Sequence, residues 1–425
     1  MGNRVAVLDS LFFNFDTPVT HQAIASLCLF DGLPDVLELR SRLRVLAENV
    51  PKLRQRIIGD MWVDDAEFNI ANHFAVLCLP EISNREKLVE VASEKFSERL
   101  NLSRPLWSFT LISNVAERRG GREIVGMLFV IHHALADGLG GLELIEAIAD
   151  DNFGAELDRG KRLESRNDGI KAAKLSARGL EAFKRNYIAE LFREIAAKRP
   201  KSLLNGRNSP RRVIRVFDLP VEELRAIRRK VDVSFNDVLL GCVIDGIIRY
   251  HYKYGASVKG LRAVVPVNVR PQGDRLSLGN RIVALAIDLH LQCAVREERL
   301  RLINRRFVEK RDSKSLYAYL TLGELISILP RWLQRILCEW QARRTNFIFT
   351  NMPGWIKERR LCGAKILANY PVLALIKGHG AAFGFISHEE KLCACVVTDP
   401  NIVREPQLLA SCVKEAVEEL IKGRD

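Results

Sequence analysis

The residue types suited to chemistry lie closest together in the stretch FVIHHALADGLGG, where His132, His133, Asp137 and Gly138 form the pattern H-H-x-x-x-D-G. An imidazole with an ordinary pKa near 6.5 can take a proton from a hydroxyl or thiol at neutral pH and return it later. Adjacent side chains on a strand point to opposite faces, so His132 and His133 cannot both reach one substrate or easily share one metal. His133 is the candidate for proton transfer, with His132 packing inward in support. Asp137, four residues on, is placed to orient the imidazole or to hold the loop by an ion pair. Gly138 permits close backbone approach at the turn. An isolated histidine pair would ordinarily be a satisfied core feature; the complete pattern is what favours catalysis.

The elements that must hold this motif follow from periodicity. Ile124 to His132 reads as a buried strand, preceded by a strand over Trp107 to Asn114 and a polar turn over Glu117 to Gly121. Gly138, Gly140 and Gly141 open a helix through Leu142, Leu144, Ile145 and Ile148. Helices are predicted upstream over Val36 to Asn49 and Asn84 to Arg99. Further on, Val213 to Leu219 reads as a strand, and Pro220 starts a helix with Glu222 and Glu223 behind it. Ser234 to Tyr254 is an apolar helix. Leu261 to Val269, Arg281 to Leu291 and Thr345 to Thr350 read as strands, and Ala294 to Lys310 as a charged helix. Ala381 to Thr398 reads as a hairpin turning at His388-Glu389-Glu390, and Pro406 to Ile421 as a terminal helix. The sum is a mixed α/β fold of two halves: residues 1–155 with the histidines, a basic, largely helical linker over 156–212, and residues 213–425.

Composition excludes several classes. With 48% apolar and 28% charged residues the chain is globular, and it has no apolar run long enough to span a membrane. The N-terminus lacks the unbroken apolar stretch of a secretory signal. The nine cysteines include no C-x-x-C pair, and Cys393 and Cys395 have the spacing of one strand face; a reduced, cytoplasmic protein is expected. Of the net charge of +13, residues 159–212 carry +11, from sixteen Lys/Arg against five Asp/Glu. Within that segment Ile170, Leu180, Phe183, Tyr187 and Ile195 recur at roughly helical spacing among Lys171, Lys174, Arg178, Lys184, Arg185 and Arg193. Such a segment suits peripheral contact with an anionic membrane or lipid inclusion. It lacks the interleaved aromatics of a single-strand nucleic-acid groove, and no nucleic-acid partner is expected.

The sequence resembles the bacterial wax ester synthase/acyl-CoA:diacylglycerol acyltransferases, members of the HHxxxDG superfamily with the chloramphenicol acetyltransferase-like fold. The resemblance spans nearly the whole chain: LDSLFF at 8–13, THQAIASLCLFDG at 20–32, VPKLRQRI at 50–57, MWVDDAEFNIANHF at 61–74, LNLSRPLW at 100–107, NDVLL at 236–240, VVPVNVR at 264–270, LGNRI at 278–282 and TNMPG at 350–354. It implies two subdomains around a central channel. It also implies His133 as general base toward an acceptor hydroxyl, with His132 and Asp137 mainly structural. Arg270 is the expected ion-pair partner of Asp137. Asn236 and Asp237 would line the channel from the second half, Asn236 holding the acceptor or the developing oxyanion, unless it is instead a helix cap. The implied reaction is direct attack of a long-chain alcohol or diacylglycerol on an acyl-CoA thioester, with no metal or redox cofactor. Two other readings stand beside it. One is a condensation-type enzyme that esterifies or amidates a specialised metabolite, its acyl group delivered on a carrier protein. The other is a non-catalytic protein that binds an anionic surface through residues 159–212, which the intact motif argues against.

Overall fold

The computed structural model describes residues 3–119, 122–153, 197–268, 278–291, 295–312, 326 and 329–423. The chain enters through a short apolar helix, α1 (Val7–Phe15), and the strand β1 (Ala23–Phe30). Helix α2 occupies Val36–Asn49, as its leucine spacing predicts, and Asp35 caps it by accepting the Glu38 N–H. A small hairpin, β2 (Gln55–Ile58) and β3 (Met61–Asp64), leads to β4 (Phe74–Ser83) and to α3 (Arg85–Ser97), which Asn84 caps. Strands β5 (Trp107–Arg119) and β6 (Arg122–His132) pair antiparallel, and α4 (Gly138–Ile148) begins just past the histidines. The expected polar turn is shorter than its sequence suggests. Arg118 opposes Glu123 and Arg119 opposes Arg122, so the ladder runs further than side-chain polarity indicates.

The second half contributes β7 (Val213–Pro220), α5 (Val221–Val231) and α6 (Phe235–Lys253). Pro220 is the residue before α5 rather than its first turn. Next come β8 (Gly260–Asn268), β9 (Ile282–His290), α7 (Arg296–Asp312) and α8 (Arg331–Ala342). Strands β10 (Phe347–Trp355), β11 (Arg360–Leu361) and β12 (Ala364–Val372) precede the hairpin of β13 (Ala381–His388) and β14 (Lys391–Thr398). Helix α9 (Pro406–Ile421) ends the chain.

Two six-stranded sheets result, ordered β11-β12-β1-β6-β5-β4 and β7-β14-β13-β10-β8-β9. Strand β12 pairs antiparallel with β1, so residues 360–372 complete the sheet that carries the histidines although they follow the linker by some distance in the chain. Strands β13 and β14 of the second sheet are buried on both faces, which is why they are nearly continuous apolar runs. On β14, Cys393 and Cys395 face the core shared with the first sheet, while Ala394 and Val396 face the core under α6 and α9. Of residues 159–212, the structure describes 197–212. There Arg212 is buried, ion-paired with Asp399 at 3.4 Å and donating to the Val19 carbonyl at 2.6 Å, so its charge serves the fold rather than a surface.

Candidate active site

The end of β6 presents its two histidines in opposite senses, as strand alternation requires. His132 is 1% exposed and spent on structure. Its Nδ1 accepts the Ala134 N–H at 3.0 Å, so the ring proton is on Nε2, which donates to Asp16 Oδ2 at 3.1 Å. Burial alone would raise the Asp16 pKa. Bonds from His132, the Gln22 N–H and Arg99 instead hold it below the usual carboxylate range, so the acceptor is ionised.

His133 lies under α1. Phe12 stacks on its ring, centroids 4.2 Å apart and planes 9° from parallel. On its other flank is Asn280, just before β9. Asn280 Nδ2 donates to the His133 carbonyl at 2.6 Å and to Asp9 Oδ1 at 2.8 Å. Asp9 Oδ1 also takes the Asn280 backbone N–H at 2.9 Å. Both Nδ2 partners are acceptors, which fixes the amide's orientation and makes Asn280 Oδ1 the atom 2.8 Å from His133 Nδ1. His133 Nδ1 therefore carries the proton, and Nε2 keeps its lone pair. Burial, more than any other cause, drives the His133 pKa down to about 4, against the Asn280 bond and the Asp137 charge that favour protonation. At pH 7 the ring is a neutral base of defined tautomer.

The supporting residues are more deeply buried than His133 itself. Asp9 is enclosed on α1 with Lys52 Nζ 3.4 Å away, and burial pushes its carboxyl pKa upward. Gly279 has φ +123°, a region that favours glycine, and a Cβ there would meet Asp9 Oδ2 at 3.2 Å. That glycine is what lets the L-G-N turn set Asn280 between Asp9 and His133.

Asp137 is 1% exposed and joins two elements. Its Oδ1 accepts the Gly140 N–H at 2.9 Å as the cap of α4, and its Oδ2 accepts the Arg281 N–H at 3.1 Å at the entry to β9. Asp137→Ala is expected to lower the melting temperature, since a lost cap costs about 1 kcal/mol and a buried N–H left bare about as much again. Differential scanning fluorimetry checks this; a variant melting with wild type would remove Asp137 from the structural frame. Gly138 lets β10 approach: a Cβ would stand 2.5 Å from Met352 Sδ, so the D-G pair and the N-M-P-G stretch meet here.

The remaining candidates sit differently. Asn236 is in the first turn of α6, accepting from Asn351 Nδ2 at 2.7 Å, while Ser234 takes the capping position. Asp237, expected on the channel wall, is turned fully inward. It closes a capping box with Ser234, accepting that residue's N–H at 2.8 Å, and takes Asn304 Nδ2 at 2.6 Å. Arg270 lies outside the described residues. Asp9, Phe12, Asp16 and Asn280 were not singled out by residue type. The signals in the sequence were an acid inside the apolar run VLDSLFF and the G-N pair of LGNRI.

On the far side of Phe12 from the His133 ring, and not lined by that ring itself, opens a cavity of about 280 Å³. Phe12, Gln22 and Ile282 are among its walls, which ties it to the ring-stacking partner, the β1 entry and the strand after Asn280. Leu8, Leu11, Val264 and Ile376 make it chiefly apolar, and both halves of the chain contribute. Among the described residues, no three His, Cys, Asp or Glu side chains gather as metal ligands.

Residues 5–239 match the wax ester synthase/diacylglycerol acyltransferase catalytic domain, and residues 278–421 match the WS/DGAT C-terminal domain. Among relatives, the O-acyltransferase WSD of Acinetobacter baylyi is 26% identical, covering 97% of this chain and 95% of its own. A probable diacylglycerol O-acyltransferase of Mycobacterium tuberculosis is 24% identical over 99% of this chain and 96% of its own. In fold, the wax ester synthase/diacylglycerol acyltransferase of Marinobacter aquaeolei superposes with a TM-score of 0.69 at 18% identity over 99% of both chains. The starter condensation domain of rhizomide synthetase, in complex with C8-CoA, superposes at 0.61 with 14% identity over 99% of this chain and 94% of its own. The motif geometry and the two domain matches agree: the chain is an acyltransferase belonging to the wax ester synthase/diacylglycerol acyltransferase family.

Proposed function

We propose that His133 is the general base in transfer of an acyl group from coenzyme A to the hydroxyl of a hydrophobic alcohol, a long-chain alcohol or a diacylglycerol. The observation that carries this is the neutral His133 ring, its Nδ1–H held by Asn280, stacked on Phe12, which is itself a wall of an apolar cavity. As the acceptor oxygen attacks the thioester carbonyl, Nε2 takes the hydroxyl proton. The tetrahedral intermediate then collapses, the C–S bond breaks, and the imidazolium returns the proton to the departing thiolate. No acyl-enzyme is formed, because attack is direct from one substrate on the other. The apolar walls exclude water that would hydrolyse the thioester instead.

Asn236, linked through Asn351 to the β10 stretch whose Met352 rests on Gly138, is proposed to steady the acceptor or the oxyanion from the second half. Asp237 acts by fixing the start of α6, and Arg270 remains the proposed ionic partner of Asp137. The functional units proposed are residues 1–155 and 213–425, joined by the basic stretch. The charge of residues 159–212 supports contact with an anionic partner: the phosphates of coenzyme A, a carrier protein bearing the acyl group, or the face of a membrane or lipid inclusion. The test is mass spectrometry of products from the purified chain supplied with an acyl-CoA series and either long-chain alcohols or diacylglycerol. Ester formation with one of these acceptors is expected. Free-thiol release without ester, or no turnover of any pair, would contradict the reading.

A further inference from the structure

Helix α8 has two faces with different work. On one side, Arg335, Cys338, Glu339 and Ala342 are walls of the cavity, and Gln334 is buried, accepting from Asn14 of α1. On the other, Trp332, Ile336 and Trp340 recur every four residues and form a ridge. They are 64%, 54% and 37% exposed, whereas the chain's other tryptophans, Trp62, Trp107 and Trp355, are at most 5% exposed. Two tryptophans on one exposed helical ridge are apolar surface that the described residues leave uncovered.

The ridge is framed by cations. Arg331, Arg335 and Arg343 are exposed, and the Arg344 guanidinium lies 3.6 Å over the Trp340 ring. Arg331 donates to the Gly59 carbonyl at 2.9 Å, which brings the start of α8 to the β2–β3 turn, where Ile58 at the end of β2 is 49% exposed. Glu339 is the acid on this helix, and it is neutralised by Arg335 and Lys377. Tryptophans that seek the headgroup level, an aliphatic side chain between them and arginines around them are the chemistry of an interfacial helix on an anionic bilayer. Among the described residues no helix is long and apolar enough to cross a membrane, so this contact would be peripheral.

We propose that α8 docks the protein on an anionic lipid bilayer, with Trp332, Ile336 and Trp340 at headgroup depth and the cavity directly behind them. Acceptor alcohol then passes from the lipid phase past α8 toward His133 without crossing bulk water. That last step rests on the function proposed above; the docking itself does not.

The test uses the full chain with vesicles of phosphatidylcholine containing phosphatidylglycerol, and with phosphatidylcholine alone. Brominated phospholipid quenches only tryptophans at the bilayer, and the three buried tryptophans cannot answer it. Quenching of wild type is expected on the anionic vesicles, weakening as salt rises. In a Trp332→Ser/Ile336→Ser variant, vesicle partitioning is expected to fall about tenfold or more. Turnover of a short, water-soluble alcohol should stay at the wild-type level. Unquenched wild-type fluorescence on anionic vesicles would overturn the proposal. So would equal vesicle binding by the variant, or a wild-type dimer in solution that hides the ridge and persists on vesicles. Absence of short-alcohol turnover in wild type would instead count against the acyltransfer reading and leave the docking result standing.

Discussion

His133→Ala is expected to reduce acyl transfer by about 10²–10⁴-fold, the range typical of losing a positioned base. The loss belongs to kcat. The cavity walls that receive the acceptor are unchanged, so the Michaelis constant should move little. The fold should survive, because the ring's contribution to structure is one hydrogen bond to Asn280 and one stacked contact with Phe12. Steady-state thioester turnover, with circular dichroism on the same sample, checks both halves. Near-wild-type turnover from folded protein would remove His133 from the chemistry. His132→Ala is a different experiment: that ring holds Asp16 and the Ala134 N–H, so its loss acts on the frame.

The second large effect is expected at Asn280, which touches the base rather than the substrate. Asn280→Ala removes the acceptor that keeps the His133 proton on Nδ1, so part of the population takes the tautomer whose Nε2 already bears a proton and cannot act as base. A fall in kcat of roughly 10–100-fold is expected, the range seen when a partner that orients an imidazole is lost. The Michaelis constant should stay within a small factor of wild type. A residue that mattered only for folding would give less folded protein with an unchanged kcat per active site. Active-site titration beside the kinetics separates the two. The variant also strands the His133 carbonyl, at about 1–3 kcal/mol for a buried group left unpaired, and takes one bond from Asp9, which keeps the residue-280 backbone N–H and Lys52. The assay therefore belongs well below the melting temperature.

The sequence announces an element where a local cause fixes it. Helix α2 begins at its Asp35 cap and α9 at Pro406, and both have the bounds that periodicity assigns. The double burial of β13 and β14 shows in their unbroken apolar runs. The S-x-x-D spacing of Ser234 and Asp237 already spells a capping box, and it accounts for Asp237 turning away from the channel. What escaped is non-local. β12 finds its partner in β1 across most of the chain, and no window of residues announces that pairing. The support of His133 has the same character, since Asn280 is 147 residues from the histidine and 271 from Asp9. Each is unremarkable in its own segment: an asparagine in a turn, an acid in a nine-residue helix. Only the closed fold gives them a joint task. Their stretches, LDSLFF and LGNRI, were visible through resemblance, without the physical reason for either.

That reason rests on the state of one ring, and ¹⁵N-histidine NMR reads it directly, with the His133 signals assigned by their disappearance in His133→Ala. With the pKa pressed to about 4 by burial and Nδ1–H donated to Asn280, the spectrum at pH 6 should show a neutral ring, protonated at Nδ1 and bare at Nε2. The ring should take up a second proton only as the pH falls toward that value. A His133 ring that is cationic at pH 6, or neutral with its proton on Nε2, would contradict the account.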